Sequence, residues 1–142
     1  AKPTPKEPAR PAPKEPPSAV PALQLLALLQ REGRFIDFLK QDIASFSDSD
    51  IGAAARVVHE GCRKALWSHA EIESIRDEEE GSKVTLEAGF DASRVKLTGN
   101  VAGSAPYRGT LRHKGWSAKK LDLPTLAPGH DAHLLYPAEV EL

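Results

Sequence analysis

Apolar positions along this chain keep two different periods, and the change falls near residue 70. Between residues 22 and 70 they recur at spacings of three and four, the signature of helices with one buried face. Residues 22–32 form a leucine-rich segment that Gly33 is placed to break. In residues 34–44, Phe35, Ile36, Phe38, Leu39 and Ile43 share one broad face. A third helix follows, with Ser47 and Asp50 spaced as a capping box. Its stripe of Ile51, Ala54, Ala55, Val58, Cys62, Ala65, Leu66 and His69 is the cleanest period in the sequence. Gly52, Ala53, Ala54 and Ala55 are small enough to let another helix approach closely at its start.

Beyond residue 70 the period is two. Val84, Leu86 and Ala88 alternate with Lys83, Thr85 and Glu87, and Val95, Leu97, Gly99 and Val101 alternate with Arg94, Lys96, Thr98 and Asn100. Both runs read as half-buried strands. A weaker strand at 72–76 precedes a turn at Glu78-Glu79-Glu80-Gly81. Residues 107–113 and 116–123 read as the arms of a hairpin with Lys114-Gly115 at its tip, and 139–142 as a short closing strand. Helices followed by strands predict an α+β fold. About three N-terminal helices would pack on a C-terminal antiparallel sheet, or small curled barrel, of five to six short strands. The expected organisation is a disordered proline-rich linker over 1–21 and a single α+β domain over 22–142, helical to residue 70 and mainly β from 71.

The linker follows from composition. Residues 1–21 hold eight of the twelve prolines, and Pro5-Lys6-Glu7-Pro8 is repeated as Pro13-Lys14-Glu15-Pro16. Proline fixes φ and has no N–H, so such a stretch favours an extended spacer. Its Pro-x-x-Pro spacings could also be ligands for aromatic grooves. The chain has no methionine, even at position 1, and starts inside this stretch, so an upstream portion is expected. No apolar run approaches the roughly 18 residues of a membrane span, and no signal-peptide core is present. The lone cysteine allows no internal disulfide and suits a reducing compartment. A cytoplasmic location is the expectation.

A net charge of -1 and a sequence pI near 6.6 argue against a general nucleic-acid binder. That balance conceals a sorted distribution. Residues 70–93 carry eight acidic and two basic residues, whereas 94–120 carry seven basic residues and no acid. Sorting of this kind either holds antiparallel strands in register or presents a face of one sign to a partner. The strongest candidate surface is the segment bearing Arg108, Arg112, His113, Lys114, Trp116, Lys119 and Lys120. Cations beside an aromatic ring suit an acidic peptide or a single-stranded nucleic acid. A solvated sheet face, neutralised by neighbouring acidic strands, is the competing reading.

Other residues offer chemistry without a diagnostic spacing. His59 and Cys62 lie one helical turn apart, as metal ligands or a thiol and its base would, but the stripe puts Cys62 on the apolar face. His130, Asp131 and His133 could meet a divalent metal in a loop, or simply be solvated. Phosphate loops, nucleophile elbows and zinc-protease motifs do not occur. No catalytic residue, metal ligand or cofactor is therefore assigned.

Several segments resemble one family. Arg31-Glu32-Gly33-Arg34-Phe35-Ile36-Asp37-Phe38-Leu39 is similar to its helical signature, and Val57-Val58-His59-Glu60-Gly61-Cys62-Arg63-Lys64-Ala65-Leu66 to its central helix. Phe90-Asp91-Ala92-Ser93, Leu97-Thr98-Gly99-Asn100 and Gly109-Thr110-Leu111-Arg112-His113-Lys114-Gly115-Trp116 resemble its strand region. The family is the bacterial domain of unknown function 2760, and the resemblance spans about residues 22–142. It brings no catalytic residue; His59, Glu60, Cys62 and Arg63 match it only as family-like positions. It implies a context beside a DnaK-type chaperone, hence an accessory role.

The expected function is thus a non-catalytic protein-interaction or accessory domain, with a DnaK-type chaperone or another acidic protein surface as partner. Two alternatives stand: nucleic-acid or polyanion binding through 108–120, and an enzyme using His59 and Cys62 or His130 and His133.

Overall fold

The computed structural model describes residues 18–142. The linker reading of the proline-rich stretch falls largely on residues outside that range. The described chain holds three helices, α1 (Val20–Gly33), α2 (Phe35–Lys40) and α3 (Asp48–His69), followed by four strands, β1 (Ala70–Ser74), β2 (Lys83–Leu86), β3 (Tyr107–Thr110) and β4 (Trp116–Leu121). The α+β class is as expected. The strands number four rather than five or six, and they form two sheets of two strands, not one sheet or barrel.

The described chain divides into two compact units, residues 18–68 with 123–142, and His69–Asp122. In the first, α1 starts with a proline in its first turn, where a missing N–H costs nothing. Gly33 does not break the helix. It is the last residue of α1 and is buried, and a Cβ there would collide with the Cys62 side chain and lie 2.6 Å from its backbone N. Arg34 makes the break instead, with φ 53° in the left-handed region. The opposing residue is Gly61, where a Cβ would overlap the Glu32 carbonyl oxygen and Gly33 Cα. Two glycines thus bring the end of α1 onto the middle of α3. The close approach expected at Gly52 does not occur; nothing lies within 4 Å of a Cβ built there.

Because Arg34 offers no side-chain cap, the N-terminus of α2 borrows one from α1. Gln30 Oε1 accepts from the backbone N–H groups of Ile36 (2.9 Å) and Asp37 (3.2 Å), and Gln30 Nε2 donates to Asp37 Oδ2 (2.8 Å). These bonds satisfy donors that a helix start leaves orphaned. The helix expected over 34–44 stops at Lys40, because Gln41 is extended and Asp42 Oδ1 accepts from Ala44 N–H. Such a local side-chain bond competes with helix continuation. Ser47 Oγ accepts from Asp50 N–H at 3.1 Å and starts α3 as expected. The apolar stripe of α3 is its less exposed face, with Ala65 buried, as is Leu28 of α1. The C-terminal segment is tied to α1 where Gln24 Nε2 donates to the Pro124 carbonyl at 2.8 Å. The strand expected at 139–142 does not form.

The second unit is a two-stranded ribbon. β1 pairs antiparallel with β4, and β2 with β3. Backbone bonds extend both ladders toward each other: Ile75 N–H to Gly115 O and Arg76 N–H to Lys114 O on one side, Gly81 N–H to Leu111 O and Leu111 N–H to Ser82 O on the other. One outgoing arm (70–86) therefore pairs with one returning arm (107–121). Asp77–Glu80 stands unpaired opposite Arg112 and His113, which kinks the ribbon. The hairpin expected from 107–113 and 116–123 is thereby corrected: β3 and β4 are successive lengths of the same arm, and Lys114-Gly115 is beside the kink, not at a tip. The real tip is 87–106. It contains the run 94–101, which forms no strand and follows a turn in which Asp91 Oδ1 accepts from both the backbone N–H (2.9 Å) and the hydroxyl (2.6 Å) of Ser93. Val95 and Leu97 still alternate in burial with Arg94, Lys96 and Thr98. Leu86 and Leu111 are the buried apolar residues of this unit, and Phe90 meets Tyr107 edge-on with ring centroids 6.1 Å apart.

Candidate functional site

The charge sorting of the sequence maps onto the two arms of the ribbon. Acidic residues dominate the outgoing arm, and the basic residues Arg108, Arg112, Lys114, Lys119 and Lys120 lie on the returning arm. Antiparallel register places Glu71 opposite Lys120, Glu73 opposite Ser117, and Thr85 opposite Arg108. Cross-strand neutralisation therefore has one matched acid–base position, and even there Lys120 Nζ pairs with Asp122 (3.1 Å). Among the described residues, Arg108, Arg112, Lys114 and Lys119 enter no ion pair.

Local geometry presents these groups outward. The register skips Lys119, the extra residue of a bulge opposite the Glu71–Ile72 step. A bulge bends the strand and re-aims the side chain it carries. Trp116 opens β4 opposite Ser74 and remains 64% exposed. Beside it, the His113 ring stands edge-on at a centroid distance of 6.5 Å, and His113 Nδ1 accepts from Gly115 N–H at 3.0 Å. That bond requires Nδ1 to be the unprotonated nitrogen and fixes the ring. Gly115 has φ 75°, and a Cβ there would come 3.0 Å from Ile75 Cδ1. The glycine thus holds the returning arm against the outgoing one just before Trp116. Lys83 Nζ donates to Thr110 Oγ1 (2.9 Å), so that lysine is engaged across the ladder.

On the outgoing arm, the Arg76 guanidinium donates two hydrogen bonds to the Glu78 carboxylate, which holds that carboxyl below its ordinary value. A cation and an acid of the kink are therefore mutually satisfied, whereas Arg112 across from them is not. The seven residues expected at the site all fall on the returning arm or its kink: Arg108 on β3, Arg112, His113 and Lys114 between the strands, and Trp116, Lys119 and Lys120 on β4. All are exposed except Lys114, which is half-buried.

The other candidates are dispersed. His59 is on the exposed side of α3, whereas Cys62 Sγ points at the Leu29 carbonyl of α1 (3.9 Å). Desolvation there pushes the Cys62 thiol up from its ordinary value, away from the nucleophilic thiolate. His130 and His133 are exposed, and Asp131 Oδ1 accepts from His133 N–H at 2.9 Å, a turn-forming bond. Among the described residues no group of three or more His, Cys, Asp or Glu side chains could hold a metal ion. Among the described residues no helix is long and apolar enough to cross a membrane. The sequence reading passed over Trp67, which is 55% exposed on α3. Its sequence signal is its place one turn beyond Arg63 and three turns beyond Arg56, off the apolar stripe.

No curated protein and no solved structure matches the chain. The profile described as Domain of unknown function (DUF2760) matches residues 18–141. By that match, which covers all three helices and both arms of the ribbon, the chain belongs to the DUF2760 family.

Proposed function

We propose that this chain is a non-catalytic interaction module whose returning ribbon arm docks on an acidic surface of a partner protein. The carrying observation is Trp116, 64% exposed, on the same returning arm as Arg112, Lys114 and Lys119, which enter no ion pair among the described residues. Tryptophan is usually well buried in a folded chain, and exposed Trp and Arg are the residues that dominate protein interfaces. The cations would steer an acidic partner and set register, and Trp116 would supply apolar contact. Charge favours a protein over a nucleic acid: the chain carries -1 overall, and an acidic arm lies across the ladder from the basic one, which disfavours tracking by a continuous line of phosphates.

The family resemblance makes a DnaK-type chaperone the first candidate partner. Affinity capture from the native cell, with nuclease present, tests this. Recovery of that chaperone by the wild type, and its loss with Arg112→Glu/Lys114→Glu, is the expected result. Recovery that depends on nucleic acid would favour the polyanion reading instead.

A further inference from the structure

The ribbon leaves one exposed tryptophan unexplained. α3 packs with one stripe, and the opposite stripe carries Arg56, Glu60, Arg63 and Trp67 in line, flanked by His59 and Lys64. At 100° per residue, Arg56, Arg63 and Trp67 fall within about 40° of one another. All six side chains are exposed, and Arg56, Glu60, Arg63 and Lys64 enter no ion pair among the described residues. An ordinary solvated helix face mixes charges and does not centre a large aromatic on its axis. This one does, with Trp67 55% exposed.

We infer that this stripe of α3 is a second docking surface, independent of the ribbon, and that its occupant is an acidic helix of a partner protein. The spacing specifies the partner's chemistry. Arg56 and Arg63 are one heptad apart, about 10.5 Å along the axis, and Trp67 is about 6 Å further. A partner helix alongside would place acidic residues one heptad apart against the two arginines, as flanking charges do in paired helices. An apolar side chain one turn beyond would cover Trp67. Glu60, midway between the arginines, requires a basic or neutral residue opposite. That requirement separates an acidic helix from a nucleic acid: a peptide can interrupt its negative charge at one position, whereas a phosphate backbone cannot. The stripe and its flanks offer only three full positive charges, Arg56, Arg63 and Lys64, few for a phosphate-tracking surface.

The test uses the full chain with Trp116→Phe, which leaves Trp67 as the sole tryptophan and removes the ribbon's anchor. The probe is an alanine-based helical peptide with glutamates one heptad apart, a lysine midway between them, and a leucine one turn beyond the second. Titration is expected to move Trp67 emission to shorter wavelength and to saturate. Arg56→Glu/Arg63→Glu should weaken the midpoint at least about tenfold, and the neutral Arg56→Gln/Arg63→Gln should weaken it less. These positions are exposed, and far-UV circular dichroism checks that each variant keeps its helices. Unmoved emission, or an equal shift with a scrambled peptide, overturns the proposal. A shift with oligothymidylate in place of the peptide overturns the choice of an acidic helix in favour of a nucleic acid. Because Trp116 is absent throughout, none of these results bears on the ribbon.

Discussion

Individual residues divide into those that must be what they are and those that only look so. Gly61 and Gly52 share one helix and differ entirely in surroundings. A methyl at Gly61 meets the backbone of Glu32 and Gly33, neither of which can rotate away. Gly61→Ala should destabilise the chain by about 1–3 kcal/mol, as overpacking does. Gly52→Ala, with open space around it, should stabilise by about 0.5–1 kcal/mol through helix propensity. Urea denaturation of both variants checks the pair, and equal effects would contradict the close approach. Gln30→Ala removes the bonds that begin α2 and should cost about 1–2 kcal/mol, the size of a lost cap, with the loss of helix confined to 35–40 by amide exchange. Sequence alone showed the inward Cys62 and the capping Ser47, because periodicity and cap chemistry are local. It could not distinguish a glycine needed for positive φ from one needed for close approach. At 33 and 34 the two roles sit on adjacent residues, and the arginine takes the left-handed backbone.

At the scale of elements, the ribbon separates what a period of two encodes from what it leaves open. Alternation reports half-burial, and Val95 and Leu97 alternate faithfully without belonging to a strand. Partner choice depends on turns distant in sequence, so the pairing of β2 with β3 and of β1 with β4 was not legible. Lys114-Gly115 resembled a tip because a glycine with positive φ serves a kink as well as a turn. The acidic turn 78–81 separates β1 from β2, as its sequence predicts, but each of those strands pairs elsewhere.

The kink carries its own pH dependence. Hydrogen bonds from Arg76 hold the Glu78 carboxyl below its ordinary value in the folded chain. A depressed carboxyl contributes stability that is fully present above its ordinary value and is lost as pH falls through the lowered one. Amide exchange at Gly81 and Leu111, corrected for the intrinsic pH dependence, should therefore stay slow at neutral pH and accelerate as pH falls below the ordinary carboxylate range. Glu78→Gln should abolish that acid-induced change. Persistence of the change in the variant would assign it to another group, with Asp91, whose carboxyl the Ser93 bonds also lower, the next to substitute.

For the molecule as a whole, a net charge of -1 describes neither unit's contact surface. One arm of the ribbon is acidic and the other basic, yet the basic arm keeps four cations outside any ion pair among the described residues. Both tryptophans of the chain are exposed, each beside cations, one on the ribbon and one on α3. The charge sorting and the basic segment were legible because they are compositional. The α3 surface was not, because an exposed tryptophan can be told from a core one only after the packed stripe is known. Binding through the basic arm implies strong dependence on ionic strength. The most direct measurement is quantitative capture of the partner by three forms of the chain: wild type, Arg112→Glu/Lys114→Glu, and Arg31→Glu/Lys40→Glu. The two variants change net charge equally, but only the first alters the ribbon. The ribbon account predicts at least about a tenfold loss in the first variant and near-wild-type capture by the second. Equal capture by all three, or equal loss in both variants, would contradict it.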